Sequence, residues 1–374
     1  MKRDNMQNVA ADGGAGQTPS RIGPAFSCSV DASLNSERRR CRLILVVLAA
    51  ALVVFALVSY TLGRYTVRID ELLSFIWTSV SGAPMQVSNE VASVVVNVRF
   101  PRITAAILIG AALALAGAGY QGVFKNPMVS PDILGASAGA GFGASIAILL
   151  GLSGFAIQIT SFLFGLGAVA ITYLIGRAVG QRDSTTLVLV LAGMVVGAML
   201  SAFISIVKYL ADPFGQLPEI TFWLMGGLST LDSDDVNIML APLAIGFAIL
   251  LALRWRINVL SFGDEEAETL GVNSTRLRAA IIVAATLITS SSVAVAGQIG
   301  WVGLVIPHFA RMIVGSNYRY LMPASLLCGA IYLLIIDNIA RNLLMIEIPL
   351  GVLTAIIGAP VFVFLLIKGK RGWS

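Results

Sequence analysis

The sequence predicts an all-α integral membrane protein, and three observations lead there. Hydrophobic residues make up 57% of the 374-residue chain and its mean hydropathy is +0.87, far above that of soluble globular chains. Long apolar runs with few charges recur along it, and such runs match a hydrocarbon layer of about 30 Å at about 1.5 Å of helix rise per residue. The runs lack the alternating polarity of barrel strands. Because every backbone N–H and C=O needs a partner inside lipid, helices are the structure left.

In chain order, residues 1–42 are rich in Ser, Gly, Asn and Ala and end in the cluster Arg38, Arg39, Arg40. They are too polar to form a core and read as a disordered cytoplasmic tail. The first apolar run begins only after residue 42 and is long enough to span, which argues against a short cleaved leader. Residues 43–374 then form one domain of ten spans, placed at 43–62, 103–121, 135–152, 155–176, 187–209, 236–253, 277–296, 301–315, 322–342 and 352–367. The second carries small residues four apart at Gly110, Ala114 and Ala118, which let a neighbouring helix approach closely. The eighth is short and interrupted by Pro307.

Ten spans put both termini on one side. If that side is the cytoplasm, 19 of the 25 Lys and Arg residues lie on or nearest it, as the bias of basic residues toward cytoplasmic loops requires. The six outside are Arg64, Arg68, Arg99, Arg102, Lys208 and Arg341. The net charge of +5 thus reflects topology and not nucleic-acid binding. Ala116-Gly117 followed ten residues on by Pro127, and Ala296-Gly297 followed ten residues on by Pro307, suggest two five-helix halves of inverted topology.

The missing features narrow the class. One histidine and three cysteines without metal-ligand spacing argue against a haem or metal centre. His308 is expected to be a packed, hydrogen-bonded helix residue. No GxxxxGK[ST] phosphate loop occurs, so the chain does not hydrolyse ATP by that route. Asp337 is nearly the only acid within the spans, whereas proton-coupled transporters carry several ionisable groups at depth. Energy must therefore come from a partner.

Against that background, SFGDEEAETLGVN, residues 261–273, gathers Asp264, Glu265, Glu266 and Glu268 between two apolar runs. Gly263 and Gly271 bracket a short helix whose first turn holds three acids, favoured there by the helix dipole. Ala267 and Leu270 fall three apart and can share a face. The reading is either a solvated turn or a docking helix for a partner.

The stretch GDEEAETLGVNSTRLR resembles the cytoplasmic coupling loop of the FecCD family, the membrane subunits of binding-protein-dependent ABC importers for iron-siderophore complexes, haem and cobalamin. RFPR at residues 99–102, GAALALAGAGYQGVFKNPMVSPDILGASAGAG from Gly110, GWVGLVIPHFARMIVGSNYRYLMPAS from Gly300, DNIAR from Asp337 and EIPLGVLTAIIGAPVFVFLL from Glu347 resemble that family's other signatures. The likeness covers nearly everything after residue 42, with small departures at Phe100, Met128 and Ile336.

The resemblance implies roles. Arg99, Arg102 and Arg341 would meet glutamates of a periplasmic binding protein. The ordinary alternatives are snorkelling for the first two and a helix cap for Arg341. Gly263, Asp264, Glu265, Glu266, Ala267, Glu268, Leu270 and Gly271 would form the loop that engages the ATPase. Asn126, Pro127 and Met128, with Ser184 and Thr185, would form a cytoplasmic gate. Asp337 and Arg341, four apart on one helix, can pair.

The expected function is therefore that of an inner-membrane permease that catalyses no covalent step and holds no cofactor or metal. It would pair with a second membrane subunit, identical or similar. It would carry cytoplasmic ATP-binding subunits that bind the ATP, and receive cargo from a periplasmic binding protein. A ferric siderophore is the default cargo, with haem and cobalamin open and molybdate-type anions a remoter option. A proton-driven transporter and a membrane scaffold are the competing classes.

Overall fold

The computed structural model describes residues 24–63, 65–81, 88–179 and 185–369, and the described residues contain only helices, turns and loops. The chain divides into two units, residues Met1–Leu43 and Ile44–Ser374. Helix α1 (Pro24–Thr61) begins well before the expected span, so residues 24–42, expected to be disordered, are helical. A Pro at the first helical position suits initiation, and extending an already nucleated helix upstream needs no new nucleus.

Short helices α2 (Ile69–Ser81) and α3 (Asn89–Ser93) follow; Ser88 caps α3 by accepting from Val91 N. A π-helical turn, Val94–Arg99, joins α3 without a break to α4 (Phe100–Val123). Then come α5 (Ala136–Leu149), α6 (Gly154–Val179), α7 (Thr185–Leu210), α8 (Gln216–Met225) and α9 (Ser233–Leu260). Asp232 and Asp235 close a reciprocal capping box at the start of α9. The chain ends with α10 (Asp264–Thr269), α11 (Ser274–Ala296), α12 (Val302–Val314), α13 (Tyr318–Asn342) and α14 (Leu350–Gly369).

Among the described residues seven helices are long and apolar enough to cross a membrane, and three shorter apolar helices lie at α5, α12 and α14. Together they coincide with the ten expected spans. Sequence periodicity did not distinguish α2, α3 or α8, which are short and lie between spans.

Helix α4 is the centre of the bundle, with almost every residue from Pro101 to Val123 buried. It packs against α9, α11, α12 and α13. Gly110 and Gly329 explain the close approach to α13: a Cβ on either glycine would overlap the other's carbonyl oxygen, and a Cβ on Gly329 would also strike Ala114. The expected small-residue seam of α4 is thus its contact with α13.

The pairings repeat. α4 lies on α13 as α11 lies on α6, α5 on α6 as α12 on α13, α4 on α12 as α11 on α5, and α7 on α6 as α14 on α13. Four helices, α4–α7, therefore correspond to α11–α14, while α9 packs against both α4 and α11. The residue spacing used to infer the repeat does not survive: Gly117 is inside α4 and Gly297 caps α11, whereas Pro127 lies in a turn and Pro307 inside α12. The repeat is carried by packing, which leaves no fixed spacing in sequence.

Candidate functional site

Arg99, Arg102 and Arg341, separated by up to 242 positions in sequence, are brought to one buried cluster with relative exposures of 3%, 7% and 7%. Arg102 Nε donates to Asp337 Oδ1 at 2.9 Å and its Nη1 lies 3.0 Å from the Glu347 carboxylate. Arg341 Nη2 donates to the Ser59 carbonyl at 2.9 Å and to Asn338 Oδ1, while its Nε lies 3.7 Å from Asp337 Oδ2. Arg99 donates to the carbonyls of Tyr60 and Tyr65.

Two expectations change here. The second span, expected from residue 103, opens earlier: the helical run starts at Asn89 and carries Arg99 and Arg102 inside it. The expected Asp337–Arg341 pair exists, but Arg102 is the nearer partner of Asp337. A carboxylate with zero exposure keeps its charge only when cations and donors surround it. Glu347, with 31% of its side chain exposed, is the cluster's edge toward the surface. Sequence reasoning missed Glu347, Ser59 and Asn338; only Asn338, beside Asp337, gave a local signal.

At the other end of the molecule, the acidic stretch forms the short helix α10, with Asp264, Glu265 and Glu266 in its first turn. Gly263 at φ 141° and Gly271 at φ 79° flank it, backbone conformations that only glycine adopts without strain. The Glu266 carboxylate folds back over the Gly263 Cα, where a Cβ would collide with it. Ala267 is fully buried whereas Leu270 is 61% exposed, so these two do not share a face as expected. The reason is that Ala267 packs the helix onto its own chain and Leu270 already belongs to the turn that ends it. Leu270 instead joins Phe262 as a large apolar side chain exposed beside the acids in sequence. Asp264 is tied to Arg278 and Lys125.

The turn after α4 holds the expected gate residues. Asn126 Oδ1 accepts from Met128 N at 2.9 Å, closing a tight turn around Pro127, and Lys125 before it sits at φ 49°. Met128 is 53% exposed. Of the other gate residues, Ser184 lies outside the described residues. Thr185 begins α7, with its side chain likewise outside the described set. The Nδ1 of His308 is buried without a hydrogen-bond partner, so it is packed but not bonded there as expected.

Between these ends lies a cavity of about 800 Å³ whose lining includes Asp132, Ser137, Lys208, Gln298, Trp301 and Ala355. Its floor is held by the segment that links α11 to α12. Gln298 Nε2 donates to the Ser137 carbonyl at 2.9 Å, and the Ser137 hydroxyl donates to Asp132. Trp301 has φ 69°, a strained conformation for a bulky residue. It is held by Phe362, whose ring packs edge-on at 6.4 Å, and by Gly358, where a Cβ would overlap the indole stem. None of this lining was identified from sequence, because the residues come from α5, α7, α8, α14 and two loops.

The sequence pattern of the FecCD transport family matches residues 50–368. The molybdate import system permease protein of Haemophilus influenzae is 40% identical over 329 residues, covering 88% of this chain and 96% of that protein. A Fe(3+)-citrate import system permease protein of Bacillus subtilis is 36% identical over 332 residues, with coverages of 88% and 96%. A solved structure described as an inward-facing conformation of a putative metal-chelate type ABC transporter aligns with a TM-score of 0.79 at 38% identity, covering 87% of this chain and 99% of that one. With a buried arginine cluster at one end, an acidic helix at the other and the family pattern running through both, the chain belongs to the FecCD family of ABC importer permeases, multi-pass proteins of the bacterial inner membrane.

Proposed function

We propose that this permease imports a ferric chelate of the siderophore class, delivered by a periplasmic binding protein and driven by ATP hydrolysed on two cytoplasmic partner subunits. A second membrane subunit completes the pathway. The observation that carries the reading is α10: an acidic, glycine-bracketed helix with Phe262 and Leu270 exposed beside it, which is what a partner's groove would grip, on a chain that lacks its own phosphate loop. The relative that imports Fe(3+)-citrate and the metal-chelate type structure support the iron assignment.

Docking of the binding protein falls to the face above Arg99, Arg102 and Arg341. Their guanidiniums are engaged within the chain, so glutamates of the docked protein would compete with Glu347 for Arg102. The chain itself performs no bond chemistry. Its work is to hold two arrangements of a rigid bundle, as alternating access requires.

The experiment is reconstitution into vesicles with its binding protein and ATPase, followed by uptake of ferric-siderophore label. ATP-dependent accumulation is expected. Uptake that survives ATP depletion and collapses with the proton gradient would instead mark a secondary transporter. Molybdate is the second reading, favoured by the Haemophilus influenzae relative, and labelled molybdate in the same assay separates the two.

A further inference from the structure

We propose that Lys208 forms an anion-selective station in the transport pathway, so that the cargo of this permease is negatively charged. The inference rests on the importer reading above and narrows its substrate class to anions.

Lys208 lies in the last turn of α7, half-buried, and its side chain lines the cavity of about 800 Å³. Of the basic residues expected on the outer side, Arg64 lies outside the described residues, Arg102 and Arg341 are spent on Asp337, and Arg68 pairs with Asp70. The guanidinium of Arg99 is spent on backbone carbonyls. Lys208 faces the cavity without an ion pair among the described residues. Its i+4 neighbour Asp212 is turned instead to the backbone N–H groups of Phe214 and Gly215.

Asp132 is the other charge on the wall, and it lies at the opposite end. Its neighbour Ile133 abuts α7 at Gly193, where a Cβ would overlap the Ile133 carbonyl. Lys208 is fifteen residues further along the helix, about 22 Å at 1.5 Å per residue. The Asp132 carboxylate also accepts from Ser137. The cavity is therefore polarised along its length, positive near the end of α7 that follows the expected outer side and negative toward the gate turn at Asn126.

A lysine facing a cavity concentrates anions there, as basic rings do in anion pores. The distant carboxylate disfavours their retention at the inner end. The remaining lining reinforces the point, since Ser137, Ser201 and Gln298 offer neutral polar groups and no further charge. A second copy of the permease across the pathway would double the same arrangement. This chemistry suits ferric citrate or an oxyanion and gives no advantage to a neutral macrocycle.

The test is uptake into vesicles holding the complete complex, with labelled ferric citrate, labelled molybdate and labelled cobalamin as probes. The wild type should accumulate at least one of the two anions. In Lys208→Gln the rate of uptake of that anion should fall about tenfold at matched binding-protein concentration, and Lys208→Arg should restore it. Uptake of neither anion, uptake of cobalamin alone, or an unchanged rate of anion uptake in Lys208→Gln overturns the proposal. ATP-driven cobalamin uptake would leave the importer reading standing, whereas uptake independent of ATP would remove that reading.

Discussion

Asp264 Oδ1 accepts a hydrogen bond from Arg278 Nη2 at 2.7 Å, joining the first turn of α10 to the start of α11, and the same oxygen lies 3.4 Å from Lys125 Nζ. Lys125 immediately precedes the gate turn at Asn126. One carboxylate therefore touches both the helix expected to meet the ATPase and the turn expected to close the pathway. All three side chains are partly exposed, and such pairs contribute about 0–1 kcal/mol, so the bridge sets position more than stability.

Replacing Asp264 with Asn should leave thermal unfolding within about 1 kcal/mol of the parent while loosening the coupling of cargo to ATP hydrolysis. Lys125→Glu should do the same, and Asp264→Lys in the Lys125→Glu background should recover part of it. Calorimetry alongside cargo-stimulated ATPase in vesicles reads both effects. Full stimulation in Asp264→Asn would remove the bridge from the coupling path.

The arginine cluster makes a stability prediction of larger size. Asp337→Asn removes the anion between Arg102 and Arg341, leaving Arg341 buried without its counter-charge and Arg102 with Glu347 alone. Breaking a buried pair in this way costs about 3–5 kcal/mol. Glu347→Gln, at the exposed edge, should cost about 1 kcal/mol or less. Thermal denaturation in detergent compares the two, and equal effects would show that Asp337 is not the centre of the cluster.

Gly110 tests the helix seam. Gly110→Ala places a methyl against the Gly329 carbonyl and should destabilise by about 1–3 kcal/mol through overpacking. Gly167→Ala is the control, because nothing lies within 4 Å of the added carbon; replacing a helical glycine there should be neutral or stabilising. Unfolding midpoints in the same detergent decide the matter, and a silent Gly110→Ala would contradict the packing of α4 on α13.

Phe262 and Leu270, 73% and 61% exposed, should anchor the partner ATPase. Changing both to Ser would be expected to cost at least tenfold in ATPase affinity, the range of a buried apolar anchor pair, with the permease still folded. Pull-down of the ATPase on immobilised permease measures this. Undiminished capture would place the contact elsewhere.

Much of the fold was legible because lipid imposes a length rule. A run of apolar residues reports a span whatever its neighbours are, and among the described residues the runs coincide with seven helices long enough to cross a membrane and three shorter apolar ones. The glycines flanking the acidic helix were equally legible, since positive φ at Gly263 and Gly271 is a local backbone demand. Residues 24–42 were misjudged because polar composition reports the lack of a core and not the lack of a helix.

The sequence by itself determined the class of the protein, the positions of its spans and the acidic helix, all consequences of local composition and backbone geometry. Only the tertiary structure decided which charges meet. Arg102 finds Asp337 and Glu347 across more than two hundred residues, and Lys208 shares a cavity with Asp132 because α7 lies against the turn that carries it. Such pairings depend on how helices cross, and crossing is set by close glycine contacts such as Gly110 with Gly329, which no spacing along the chain announces.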